Sequence, residues 1–130
     1  MSAFLNSGLY FLTTTVIVLI AIFLFDLITK YKIWPEITKG NVAVSLSTGG
    51  IVAGVSILMR GAMSVNETLL QTVLWGGAGT VLLLVVYLGF ELLTPKLNVS
   101  EEIGKGNIAV GLISCFFSIA FSLVIAASIS

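Results

Sequence analysis

Long apolar stretches alternate with short polar ones along the chain, and this alternation predicts four membrane-spanning helices. The apolar stretches run over about residues 8–28, 41–59, 69–93 and 107–129. Each is close to, or longer than, the roughly 20 apolar residues that a helix needs to cross the hydrocarbon core of a bilayer. We therefore predict one all-α membrane domain over residues 1–130, a polytopic bundle of four transmembrane helices.

A short polar motif occurs twice and divides the chain into two repeats. Residues 36–44 (EITKGNVAV) and 102–110 (EIGKGNIAV) agree at seven of nine positions. We therefore predict a first repeat over about residues 8–62 and a second over about residues 69–129, each with two spans. Because two spans return the chain to the side where it began, we expect parallel repeats related by a pseudo-twofold axis along the membrane normal.

The composition is that of a membrane protein rather than of an enzyme or a nucleic-acid-binding protein. Hydrophobic residues make up 58% of the chain, charged residues 9%, and the mean hydropathy is +1.15, whereas roughly one quarter of a soluble domain is charged. The chain has no histidine and a single cysteine, Cys115, which excludes histidine-dependent catalysis and metal sites of the Cys/His type. The net charge is zero, so there is no basic footprint for nucleic acid. We predict no catalytic residue, no metal site and no cofactor.

The positive charges predict the orientation in the membrane. Five lysines lie in the two connectors that carry the repeated motif, namely Lys30, Lys32, Lys39, Lys96 and Lys105. The opposite side of the membrane, with both termini and the middle loop, has Arg60 as its one basic residue. Basic residues accumulate in cytoplasmic loops, so we expect cytoplasmic motif connectors and both termini outside.

The repeated motif predicts a sharp turn followed by a capped helix. Asn41 and Asn107 each stand just before an apolar run, where an N-cap side chain accepts a hydrogen bond from a backbone N–H that has no partner within the helix. Gly40 and Gly106 precede them and allow a sharp turn. These four residues are thus interpreted as helix caps and turns.

Two acidic residues lie at equivalent positions near the ends of the first and third apolar runs. With the lysines and asparagines of the motifs they form a candidate polar cluster, which consists of Asp26, Lys39, Asn41, Glu91, Lys105 and Asn107. Such a cluster near the cytoplasmic side is suited to admitting a cation or relaying a proton. The alternative is that both carboxylates are simply solvated at the membrane interface, since each follows nearly a full span.

Small residues mark one face of the second and fourth apolar runs. They are Gly50 and Gly54 in the second run and Ser114, Ser118, Ser122 and Ala126 in the fourth. Small residues four apart let another helix approach closely in a bilayer. One interpretation is packing within the chain, against the first or third span. The other is a subunit interface or the lining of a pore.

The two connectors that end in Gly-Asn-x-Ala, each before a glycine- or serine-rich span, resemble those of the uncharacterised bacterial inner-membrane family typified by YjfL. The similarity is carried by residues 39–43 and 105–111 together with Asp26 and Glu91, and it covers nearly all of the chain. It implies a four-helix domain in the bacterial inner membrane and no established reaction.

Two classes of function follow from these features. The first is a non-catalytic bundle in the lipid bilayer, with a role in envelope maintenance. It forms a homo-oligomer or docks a membrane-protein partner through its small-residue faces and its basic cytoplasmic connectors. The second is a small oligomeric ion channel or transporter that uses the cluster of acids, lysines and asparagines, since four helices of one chain pack too tightly for a pore unless a polar face lines it.

Overall fold

A computed structural model describes residues 3–96 and 98–129, and these residues form six helices. In chain order they are α1 (Ala3–Ile28), α2 (Ile33–Thr38), α3 (Val42–Val65), α4 (Leu69–Leu93), α5 (Val99–Gly104) and α6 (Ile108–Ser128). Within the described residues, four helices, α1, α3, α4 and α6, are long and apolar enough to cross a membrane. The predicted all-α fold with four transmembrane helices is confirmed.

The second long helix extends beyond its predicted end. The sequence predicted that the second span ends near Met59, but α3 continues past Arg60 to Val65. The helix ends where Asn66 donates hydrogen bonds to the carbonyl of Ala62, from its backbone N–H at 3.2 Å and its side-chain amide at 2.8 Å. The charge of Arg60 ends the apolar stretch in the sequence, but it does not end the helix, because its long side chain can reach water while the backbone stays helical.

The connectors that carry the motifs contain the short helices α2 and α5, which the sequence analysis did not predict. Ile33 and Ile103, on α2 and α5, have no solvent exposure and belong to the same core as Phe25 of α1 and Tyr87 of α4. The rings of Phe25 and Tyr87 meet edge to face with 5.0 Å between their centroids. Both short helices are therefore packed onto the end of the bundle, which we call the motif end.

Helix α3 lies at the centre of the bundle and packs most extensively on α6. The two backbones touch: a Cβ atom on Gly50 would lie 2.7 Å from the Cα atom of Cys115, and one on Gly111 would lie 2.8 Å from the Cα atom of Ala43. Small residues at these crossings allow the close approach. The α3–α6 contact is thus the structural centre of the protein.

The small-residue stripe of α6 lies inside the chain and faces mainly α3. Ser114, Ser118 and Ser122 have no solvent exposure, and Ala126 lies 3.2 Å from the position of a Cβ on Gly61. For packing within the chain, the first or third span was the predicted partner. That choice was wrong for the main contact, which is with the second span, while the third span adds a contact from Tyr87 to Ser114.

Helix α1 is the least covered of the four long helices. Of its described residues only Ala21 and Phe25 are buried, and large side chains such as Phe4, Phe11 and Phe23 are exposed. Apolar side chains exposed along a transmembrane helix contact lipid. Helix α1 therefore presents most of its surface to the bilayer.

Candidate polar site at the motif end

Each motif forms an elbow, by which we mean a short helix, a glycine turn and the start of the next long helix. At the first elbow Gly40 has a φ of 87°, its N–H donates to the carbonyl of Ile37 at 2.9 Å, and the N–H of Asn41 donates to the carbonyl of Glu36 at 3.0 Å. Gly106 repeats this geometry at the second elbow with a φ of 90°. A left-handed residue closing a helix in this way is normally glycine, because a Cβ atom is strained there.

The two asparagines cap the long helices that follow. The Oδ1 atom of Asn41 accepts a hydrogen bond from the N–H of Val44 at 3.2 Å, and that of Asn107 accepts from Val110 at 3.4 Å. Each side-chain amide also donates at 3.1 Å to the glutamate of its own motif: Asn41 donates to Glu36, and Asn107 donates to Glu102. Each asparagine therefore joins the start of a transmembrane helix to the preceding short helix.

Asn41 makes further contacts that Asn107 lacks among the hydrogen bonds of the described residues. Its Nδ2 atom lies 3.2 Å from the carbonyl oxygen of Ile103 and 3.0 Å from that of Gly104, both at the end of α5. An amide nitrogen has two hydrogens, so these carbonyls and Glu36 share them. Asn41 thereby links the first elbow to the second.

The motif lysines pair with glutamates of their own elbows. Lys39 lies 3.3 Å from Glu36, and Lys105 lies 3.4 Å from Glu101 and 3.7 Å from Glu102. Hydrogen bonds from Asn41 and then from Lys39 hold the pKa of Glu36 below its ordinary value, so this carboxylate is ionised at neutral pH. Exposed pairs of this kind contribute at most about 1 kcal/mol.

Asp26 holds the start of α2. Its Oδ1 atom accepts a hydrogen bond from the backbone N–H of Ile33 at 3.0 Å. That N–H belongs to the first turn of α2, where no carbonyl of the helix itself is available as an acceptor. The position of Asp26 is thus explained by the turn between α1 and α2.

Glu91 lies in a different environment, at the wall of a cavity of 240 Å³ that is also lined by Lys30, Asn98 and Ser100. The backbone N–H of Lys30 donates to the hydroxyl of Ser100 at 2.9 Å, which closes one side of the cavity. The Oε1 atom of Glu91 is buried and has no hydrogen-bond partner. The carboxylate interacts with the side chain and the backbone of Ser100, and Lys30 is the basic residue whose charge acts on it.

The six residues of the predicted polar cluster therefore divide into three groups. Lys39, Asn41, Lys105 and Asn107 belong to the elbows, Asp26 to the start of α2, and Glu91 to the cavity. Among the described residues no ion pair joins either lysine to Asp26 or Glu91. The six residues all lie at the motif end, where the motif glutamates Glu36 and Glu102 pair with the polar groups of the elbows. One shared, quasi-symmetric cluster stays a prediction.

A buried ring of hydroxyl groups lies inside the bundle toward the motif end, and sequence reasoning missed most of it. Ser47 and Ser114 are 2.8 Å apart, and the hydroxyl of Tyr87 lies 3.4 Å from Ser47 and 3.3 Å from Ser114. The hydroxyl of Tyr31 donates to Ser47 at 3.3 Å. Burial raises the pKa of Tyr31, so its hydroxyl stays protonated. One available signal was Tyr87, four residues before Glu91 and hence on the same face of α4.

Comparison with known proteins identifies similar transmembrane proteins. A family model described as Domain of Unknown Function (DUF350) matches residues 1–129. The UPF0719 transmembrane protein YshE of Bacillus subtilis is 40% identical over 92% of this chain and 90% of its own length. A UPF0719 transmembrane protein of Aquifex aeolicus is 31% identical over 88% of this chain, which spans 46% of that protein. No solved structure matches.

Proposed function

The chain belongs to the DUF350 family of transmembrane proteins, and from this premise we propose that it is a non-catalytic membrane protein that admits a small cation at Glu91 from the motif end. This is the channel or transporter function that the sequence left as its second alternative. Of the two surfaces predicted for docking, the small-residue faces of α3 and α6 are packed against each other, which leaves the basic connectors.

The observation that carries the proposal is the buried Oε1 atom of Glu91 without a hydrogen-bond partner. A buried carboxylate oxygen that accepts no hydrogen bond is costly, and acidic residues in spans commonly mark ion or proton pathways. The cavity beside it offers Ser100 and Asn98 as neutral polar neighbours and Lys30 as a counter-charge. A cation or proton that enters this cavity would supply the missing partner of the Oε1 atom of Glu91.

The proposal is tested by cation flux into liposomes that contain the purified protein. We expect protein-dependent flux of protons, Na⁺ or K⁺, and a decrease by about tenfold or more in Glu91→Gln, because the amide neither binds a cation strongly nor exchanges a proton. Glu101→Gln is the matched control, since Glu101 is exposed on α5 and pairs only with Lys105 among the described ion pairs. Equal flux in Glu91→Gln and the unaltered protein would remove Glu91 from the pathway.

A second candidate, an oligomerising or docking role in envelope maintenance, is supported by the thin cover of α1. A groove of 520 Å³ lies between α1 and α3, away from the elbows, and its lining includes Tyr10, Thr14, Ser56 and Met63. Hydroxyl groups on a lipid-facing surface favour contact with another transmembrane helix. A homo-oligomer or a membrane-protein partner would use this side of the molecule.

The location and the repeats are also part of the proposal. We propose a bacterial inner-membrane protein of the YjfL type with one domain over residues 1–130, built from parallel repeats over about 8–62 and 69–129. The shared glycine turn and asparagine cap of the two elbows support a duplication. The excess of lysines at the motif end supports a cytoplasmic position for that end and an outside position for both termini.

Cysteine labelling in cells tests this orientation. In a Cys115→Ala background, we expect Ser64→Cys, near the exposed end of α3, to react with a membrane-impermeant thiol reagent added outside. Glu101→Cys, exposed on α5, is expected to react only after the membrane is permeabilised. Both sites should react in permeabilised cells, which serves as the control. Reaction of Glu101→Cys alone in intact cells would reverse the orientation.

A further inference from the structure

We propose that the cation admitted at Glu91 is the proton, and that the buried hydroxyls of Tyr31, Tyr87, Ser47 and Ser114 relay it into the bundle toward Ser118. This inference rests on the proposed function, because it names the substrate of the same site. It is carried by three observations: the close packing of α3 and α6, the buried hydroxyl ring toward the motif end, and the unpartnered hydroxyls that follow Ser47 and Ser114 along their helices.

The packing of α3 and α6 favours a proton over a metal cation. Where Gly50 and Gly111 cross the opposite helix, an added Cβ atom would lie within 2.8 Å of a backbone Cα atom. A metal ion that passes through a protein needs a ring of oxygen ligands in place of its hydration shell, and hence space between the helices. A proton needs only a chain of hydrogen bonds, which fits between touching backbones.

The ring has the hydrogen-bonding capacity of a relay. A hydroxyl donates one hydrogen bond and accepts two. The hydroxyl of Tyr31 donates to Ser47, and that of Ser114 donates to Tyr87. In the other two hydrogen bonds either hydroxyl can be the donor. Both are satisfied when Ser47 donates to Ser114 and Tyr87 donates to Ser47. Ser47, Ser114 and Tyr87 then form a closed cycle in which every hydroxyl both donates and accepts, and Tyr31 feeds the cycle from the motif end.

Proton entry begins at Glu91, one helical turn from Tyr87 toward the motif end. Side chains of a helix tilt toward its N-terminus, so Glu91 leans back over the turn that holds Tyr87, and its charge acts on both Tyr31 and Tyr87. A proton from the motif side binds the carboxylate and then passes to a tyrosine oxygen as that tyrosine releases its own proton to Ser47. Each hydroxyl that gains a proton gives up the one it held, so every hydroxyl returns to its neutral form and Glu91 returns to its carboxylate.

The continuation beyond the ring is marked by hydroxyls without partners. Ser118 has no solvent exposure, and its Oγ atom makes no hydrogen bond; Thr48, next to Ser47, is 6% exposed and its Oγ1 atom is likewise unpartnered. Ser118 follows Ser114 by one turn, about 6 Å along the helix axis. One water molecule, with a hydrogen bond to each hydroxyl, would span that distance. A buried hydroxyl left without a partner lowers stability, so its presence here calls for another role.

The experiment measures proton entry into liposomes that contain the intact protein and an internal pH-sensitive dye, with a K⁺ diffusion potential as the driving force. We expect Tyr87→Phe and Ser118→Ala each to decrease proton flux by about tenfold or more. Thr80→Val is the matched control, because Thr80 is a buried hydroxyl of α4 that donates to its own helix at the carbonyl of Gly76. Its proton flux should equal that of the unaltered protein.

Thermal stability separates a relay from a structural role. Ser118→Ala removes a hydroxyl that has no partner, so the variant should be as stable as the unaltered protein or slightly more stable, while its proton flux falls. Undiminished proton flux in Ser118→Ala or in Tyr87→Phe would overturn the relay. Flux of Na⁺ or K⁺ that depends on Glu91, without proton flux, would overturn the relay and leave the proposed function intact. Liposomes no more permeable to any of these cations than empty ones would contradict both.

Discussion

Replacing Gly50 by valine is expected to destabilise the folded bundle by about 3 kcal/mol or more, the upper range of overpacking in a closely packed core. Even the first added atom, a Cβ, would lie 2.7 Å from the Cα atom of Cys115 and 3.0 Å from its carbonyl oxygen. Backbone atoms cannot move aside as a flexible side chain does. The α3–α6 contact would have to open, and with it the burial of the serine stripe.

The neighbouring residue supplies a matched control for this prediction. Gly49 is exposed, and an added Cβ there would meet no atom within 4 Å. Gly49→Val therefore changes the same residue type on the same helix without a clash, and the better helix propensity of valine makes it neutral or stabilising by a few tenths of a kcal/mol. Thermal unfolding of both variants in lipid nanodiscs measures the difference. Similar unfolding temperatures for the two variants would show that α3 and α6 do not touch at Gly50.

The sequence predicted close packing at Gly50 and Gly54 but not the helix that packs there. A small-residue stripe defines which face of a helix is approached, and this can be seen from a spacing of four residues. The identity of the approaching helix depends on how all four helices share the available faces. Here both small-residue stripes meet each other, and α1 is left at the edge of the bundle with only Ala21 and Phe25 buried.

The local part of the candidate site was also predictable, whereas its tertiary part was not. A glycine with a left-handed φ followed by an asparagine cap is determined within a few residues, and the sequence pattern at Gly40 and Asn41 indicated it directly. The position of Glu91 beside Ser100, and the ring that joins Tyr31 to Ser47, depend on residues far apart in the chain. No spacing rule brings such residues together.

The two elbows look alike in sequence, but the structure predicts that their asparagines contribute unequally to stability. Loss of an N-cap side chain costs typically about 1 kcal/mol, and each further hydrogen bond contributes about 1 kcal/mol. Asn107→Ala removes a cap and a contact with Glu102. Asn41→Ala removes the equivalent cap and the contact with Glu36. It also removes the amide that donates to the carbonyls of Ile103 and Gly104. Within the described part of the chain, no other side chain donates to these two carbonyls in the hydrogen bonds found.

We therefore expect Asn41→Ala to lower the free energy of unfolding by about 2–3 kcal/mol and Asn107→Ala by about 1–2 kcal/mol, from these same cap and hydrogen-bond contributions. Unfolding of both variants in lipid nanodiscs, monitored by far-UV circular dichroism, measures the two changes.

Substitution by aspartate separates the cap from the link between elbows, because aspartate keeps the cap oxygen and removes the amide donor. Both Asn41→Asp and Asn107→Asp place a new carboxylate beside the glutamate of their own motif, so that repulsion is common to the pair. Asn41→Asp alone also turns a carboxylate toward the carbonyl oxygens of α5, which carry partial negative charge at a helix C-terminus. If Asn41 links the two elbows, Asn41→Asp should lower the free energy of unfolding more than Asn107→Asp does. Equal losses of stability in both the alanine and the aspartate pairs would mean that Asn41 acts only as a cap. The two elbows would then be held together by other contacts, such as the hydrogen bond from Lys30 to Ser100 and the shared apolar core.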